Sequence, residues 1–88
     1  MRFRARHRPR VTVYTRKGCH LCGEAEALVR RWARRNAEVD VVDIDTDPAL
    51  IDRYTVRVPV VAVDDREIAE FQVDTATLRA AIREARRH

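Results

Sequence analysis

Long apolar runs are missing from this chain of 88 residues: the longest uninterrupted one is Val60-Val61-Ala62-Val63. A membrane-spanning helix needs about 20 apolar residues, so no segment is expected to cross a bilayer. The N-terminus is basic but has no apolar region behind it, and no signal peptide is expected. Cysteine is scarce as well. Cys19 and Cys22, the only two, lie two residues apart and cannot staple distant segments as the disulfides of small secreted domains do. The expected setting is therefore reducing and cytoplasmic. Lysine is nearly absent, Lys17 standing alone beside the arginines. Repeats, low-complexity segments and internal linkers are lacking too, which leaves one small domain with a modest core.

What is present begins with charge, and it is unevenly divided. Residues 1–10 hold five arginines and no acid, whereas the other 78 residues carry thirteen basic against fourteen acidic side chains, a net charge of −1. The first ten residues alternate Arg with Met, Phe, Ala, His and Pro and form no sustained apolar face, so a mobile, solvated arm is expected over 1–10 and the folded domain over 11–88. Such an arm can touch polyanions weakly. With the rest nearly neutral, nucleic acid is not an expected partner.

The pattern then resolves into elements. Arg10-Val11-Thr12-Val13-Tyr14 is β-branched and aromatic, as strands are. A helix is expected from about Cys19 to about Asn36, with Leu21, Ala25, Leu28, Val29, Trp32 and Ala33 as one apolar stripe and Trp32 packed in the core. A second strand covers Glu38–Asp45. Its carboxylates Asp40, Asp43 and Asp45 line one strand and its exit, which suits solvated edge charges better than a converging metal site. Asp47 and Pro48 open a short helix as N-cap and first helical residue, with Leu50, Ile51 and Tyr54 facing inward. Val56–Val63 and Arg66–Ala69 form a hairpin across Asp64-Asp65, a turn without the usual glycine, with Pro59 at the head of its strand. Asp74 or Thr75 caps a last helix with Leu78, Ala81, Ile82 and Ala85 on one face. The string β-α-β-α-β-β-α implies an α/β fold, a four-stranded mixed sheet with helices on both faces.

The chemistry is concentrated at Lys17-Gly18-Cys19-His20-Leu21-Cys22. This spacing suits a redox dithiol or half a zinc site. Set between a strand and a helix, it puts Cys19 beside unpaired backbone N–H groups, the positive end of the helix dipole and the cations Arg16 and Lys17, all of which favour a thiolate. Cys22, one turn on, receives less of that help. His20 either assists the Cys19 sulfur or is a plain exposed spacer.

The element order, the Cys-x-x-Cys after the first strand and Val58-Pro59 before the third together resemble the thioredoxin-fold superfamily. Val13-Tyr14-Thr15-Arg16-Lys17-Gly18-Cys19-His20-Leu21-Cys22 is similar to the active-site entry of the glutaredoxins, above all the small bacterial glutaredoxin-like proteins with a Cys-His-x-Cys motif. The resemblance covers about residues 11–86. It implies a thiol–disulfide oxidoreductase of cell redox homeostasis in which Cys19 attacks and Cys22 resolves. It also implies a cis Pro59 facing the dithiol, with the Val58 backbone offered to an extended thiol peptide. Three features depart from it. His20 and Leu21 replace the Pro and aromatic that many glutaredoxins have between the cysteines. The Gly-Gly-x-Asp of glutathione-binding members reads Phe71-Gln72-Val73-Asp74 here, leaving Asp74 and Thr75 to serve and Glu70 to repel a carboxylate. The buried acid of thioredoxins is replaced by Val11 and Val13. The expected partners are thus protein disulfides together with glutathione or another low-molecular-weight thiol as reductant, with no resident cofactor or metal and a monomeric chain. A dimer holding zinc or an iron–sulfur cluster on four cysteines, and a non-catalytic thioredoxin-fold adaptor, are the alternatives.

Overall fold

A computed structural model describes residues 8–87. Its elements run β1 (Arg10–Thr15), α1 (His20–Ala33), β2 (Glu38–Asp43), α2 (Pro48–Tyr54), β3 (Val60–Val63), β4 (Arg66–Glu70) and α3 (Thr75–Arg86). The strands form one mixed sheet in the order β2-β1-β3-β4, with β2 parallel to β1 and the other pairs antiparallel. Because successive side chains alternate across a strand, Val11 and Val13 of β1 and Val61 and Val63 of β3 face one way. There they bury against Ala25, Val29 and Ala33 of α1 and Leu78, Ala81 and Ile82 of α3. Val60 points to the opposite face, where Ile44 and Tyr54 pack with it under α2. Helices thus cover both faces. Each fully buried Val or Leu here contributes about 1.5–3 kcal/mol over exposure. Among the described residues no helix is long and apolar enough to cross a membrane.

Local chemistry explains most boundaries. Asp47 accepts from the Ala49 N–H at 2.9 Å and Pro48 occupies the first turn of α2. Asp74 caps α3 by accepting from the Thr77 N–H at 2.7 Å, and these backbone donors hold its carboxyl below the usual range. The β3–β4 turn forms without glycine. Asp64 and Asp65 take φ of 49° and 70°, and Asp64 is tied to the Arg10 backbone twice, accepting at Oδ1 from its N–H and donating its own N–H to its carbonyl, both at 2.9 Å.

Several expectations are corrected. α1 is shorter, ending at Ala33 with Arg34 as its cap. β2 stops at Asp43, whose side chain accepts from the Asp45 N–H and turns the chain into a short 3-10 segment. Val56 and Arg57 are not strand. They sit in a 3-10 turn, Val56 exposed, while Arg57 reaches sideways to Glu67 and Glu70. Trp32 is not core: 40% of it is exposed, because Ala25, Val29 and Ala33 form the line that meets the sheet and Trp32 lies beside it. The expected arm falls largely outside the described residues. Its last three residues belong to the folded body: Arg8 donates to Glu38, Pro9 is buried and Arg10 begins β1.

Tyr14 and Tyr54 stack with ring centroids 4.3 Å apart, and burial, helped by Tyr14, pushes the Tyr54 hydroxyl up from 10.0 to about 12. The neutral phenol is therefore favoured by the folded state. Its contribution is fully present below the unfolded value of 10.0 and is lost as pH rises towards about 12. Urea unfolding across that window should show stability falling, and Tyr54→Phe should flatten the fall.

Candidate active site

β1 ends at Thr15, and the chain turns through Arg16-Lys17-Gly18 into α1. Gly18 has φ of +78°, a left-handed conformation that glycine adopts freely. A side chain there would meet nothing within 4 Å, so the constraint is the backbone and not space. Cys19 follows as N-cap of α1, and its Sγ accepts from the Cys22 N–H at 3.1 Å. The two cysteines form a disulfide with Cα atoms 5.2 Å apart. Cys19 is half-buried at the surface, whereas Cys22 is 3% exposed. Cys19 is the more exposed of the two residues, and a backbone donor is aimed at its sulfur.

The other predicted residues gather unequally. Val58–Pro59 is a cis peptide bond, and Pro59 is fully buried. The β1–β3 register pairs Tyr14 with Val60, and continued by one residue it brings Pro59 alongside Thr15, at the end of β1 that leads to Cys19. The Pro59 carbonyl accepts from the Phe71 N–H at 2.8 Å, while no turn or loop hydrogen bond among the described residues occupies the Val58 amide or carbonyl. Arg16 is engaged elsewhere, its guanidinium 2.9 Å from Asp45, but Lys17 is exposed. His20 is 88% exposed at its side chain and its Nε2 lies 2.9 Å from Glu24, so its ring is directed along the helix and makes no hydrogen bond to the Cys19 sulfur. Asp74 and Thr75 stand at the start of α3, where Asp74 itself takes the N-terminal donor of Thr77.

Beside the dithiol lies a groove of about 420 Å³ between Leu21, Glu24 and Leu28 of α1 and Phe71, Val73 and Asp74 of the β4–α3 loop. Sequence reasoning missed Glu24, Leu28 and Phe71 as site residues. Phe71 occupies the first glycine position of Gly-Gly-x-Asp and keeps a left-handed φ of 67°, with 45% of its surface exposed. A large apolar residue in a loop where glycine serves the backbone was the available signal. Among the described residues no three His, Cys, Asp or Glu side chains gather as a metal-binding group.

This sheet order, with a Cys-x-x-Cys capping α1 and a cis proline at the same end of the sheet, defines a thioredoxin fold. A mutant thioredoxin from Halobacterium salinarum superposes with a TM-score of 0.67 at 25% identity, covering 89% of this chain and 74% of its own. Residues 10–83 match the model of the Glutaredoxin-like domain (DUF836), and the chain belongs to that family. Protein Ne2328 from Nitrosomonas europaea gives a TM-score of 0.72 at 31% identity, covering 92% of this chain and 98% of that one. A Mycobacterium tuberculosis protein, Rv0508, whose name describes it as uncharacterized, is 35% identical over 81 residues, 85% of this chain and 84% of its own length.

After reduction, the half-buried and amide-bonded Cys19 should be carboxymethylated at least ~10-fold faster than the covered Cys22, read by mass after limited iodoacetate treatment.

Proposed function

We propose that the protein is a glutaredoxin-like thiol–disulfide oxidoreductase, with Cys19 the attacking and Cys22 the resolving thiol. The observation that carries this reading is the asymmetry of the pair: a half-exposed Cys19 receiving the Cys22 N–H, and a Cys22 that is 3% exposed one turn away. An amide donor and the start of a helix stabilise negative charge on sulfur, so reduced Cys19 is the better nucleophile and the better leaving group.

The reaction balances in two exchanges. The Cys19 thiolate attacks one sulfur of a substrate disulfide, forming a mixed disulfide and releasing the other sulfur as thiolate. Cys22, losing its proton to solvent, attacks the Cys19 Sγ, closes the Cys19–Cys22 disulfide and releases the second substrate thiol. Two electrons have passed to the substrate. A second thiol pair, from glutathione, another small thiol or a protein dithiol, returns them by the same steps reversed. Val58 bears on positioning: its carbonyl, in no turn or loop hydrogen bond among the described residues, lies at the end of the sheet that carries the dithiol and suits an extended peptide added as a strand.

The groove bears on partner choice. Its walls are Leu21, Leu28, Phe71 and Val73, and its acids are Glu24 and Asp74, with the Asp74 carboxyl held in its ionised form. Asp74 already takes the Thr77 donor at the start of α3 and is itself anionic there, which disfavours a ligand carboxylate. The site favours neutral or cationic peptide thiols over glutathione. Lys17 is the exposed cation near Cys19 and Arg16 is neutralised by Asp45, so Lys17 is the residue that steers an anionic thiol.

Cys19→Ser should abolish disulfide reductase activity, and Cys22→Ser should accumulate a mixed disulfide with the substrate thiol, visible as a mass adduct. Equal loss from both without any adduct would refute the roles. In defined redox buffers, equilibration with dithiothreitol but slow exchange with glutathione is the expected outcome for this groove.

A further inference from the structure

The C-terminal end of α1 and one side of α3 carry a surface that thiol chemistry does not use. Trp32 stands at its centre, 40% exposed, with the guanidinium carbons of Arg31 and Arg79 at 5.6 and 5.7 Å from its ring centroid. Arg34 and Arg35 follow in the turn after α1, and Arg83 and Arg87 line the same side of α3. All six of these arginines are exposed and none has an acidic partner among the described residues. Elsewhere the arginines are matched: Arg8 by Glu38, Arg10 by Asp40, Arg16 by Asp45, Arg57 by Glu67 and Glu70, Arg66 by Glu84. Among the arginines that line the hollows only Arg30 has an acidic partner, Glu26, and a general excess of arginine would not sort the acids so unevenly. The net charge of −1 outside the first ten residues therefore conceals a strongly cationic side.

The surface is also concave. Two hollows of about 330 and 570 Å³ flank Trp32, which they share with Asn36 and Arg79. We infer that this face binds single-stranded nucleic acid, with the arginines on successive phosphates, a base stacked at Trp32 and the Asn36 amide nitrogen, its oxygen already accepting from Arg86, available to a base edge. Arginine forks match phosphate oxygens in pairs. An exposed aromatic set among cations is what a splayed base needs, and a base is out of reach inside a duplex. An acidic protein surface would meet the charge but would leave the ring and the two hollows without a counterpart. The face lies at the far end of α1 from Cys19, about 20 Å away along the 14 residues of the helix, so both sites can be occupied together.

The test uses the full 88-residue chain and a fluorescein-labelled 12-nucleotide oligothymidylate in low salt. Trp32 is the sole tryptophan, so its emission reports the contact directly. Binding should quench it, Trp32→Leu should weaken affinity ~10-fold through loss of stacking, and the pair Arg34→Glu with Arg83→Glu should lower the log–log salt slope by roughly 1.4. Circular dichroism and cooperative unfolding verify that these surface variants remain folded. Absent binding, binding with unchanged Trp32 emission, or binding indifferent to all three substitutions would overturn the inference. Polyglutamate binding as tightly as the oligonucleotide, with the same dependence on Trp32, would overturn it in favour of an acidic protein partner.

Discussion

One hydrogen bond joins the scaffold to the chemistry: the Cys22 N–H donating to the Cys19 sulfur at the first turn of α1. A helix start leaves backbone donors without partners, and here a cysteine takes the place that Ser, Thr or Asp fills at other helix starts. The same contact ends the loop from β1, begins the helix and sets the two sulfurs on one turn. Its position depends on β1, paired on both sides and with Val11 and Val13 fully buried, and on Gly18, whose left-handed φ reverses the chain in time for Cys19 to cap. Packing, turn chemistry and sulfur placement are parts of one arrangement.

The elements themselves were legible because their periodicities differ. Alternation in Val11-Thr12-Val13-Tyr14 and the caps Asp47 and Asp74 are local signals, and locally they suffice. Long-range contacts decided the rest. Trp32 belongs to the apolar stripe by spacing, yet a stripe wider than the covering surface has a margin, and only the placement of α3 shows which side that is. Val56-Arg57 has strand composition, but Arg57 stacks on Tyr54 and bonds to β4, holding the segment in a turn. Pro9 and Arg10 have the composition of the basic segment before them, but pairing with Glu38 on β2 begins there.

The site was legible to the same degree. The cysteines, Val58 and Pro59 are marked by type and spacing, and the fold brings them to one end of the sheet. Charge compensation was not marked. Nothing in the order of residues says that Arg16 meets Asp45 across 29 positions, or that His20 turns to Glu24 in place of the sulfur. The groove wall from Phe71 to Asp74 comes from a loop whose conformation is defined by its ends.

Among the described residues the sheet has two open edges, β2 and β4, and bare edges invite association through unpaired backbone groups. Here each rim is fenced by ions. Arg10 and Asp40 close across β1 and β2, with Arg8–Glu38 before them and Arg16–Asp45 beyond, and Arg57 spans Glu67 and Glu70 along β4. Any foreign strand that docks at either rim must strip water from these pairs or part them. The ion pairs add little stability at so exposed a position. Their effect is on pairing: a strand that approaches either edge meets charge it must desolvate before its backbone can bond.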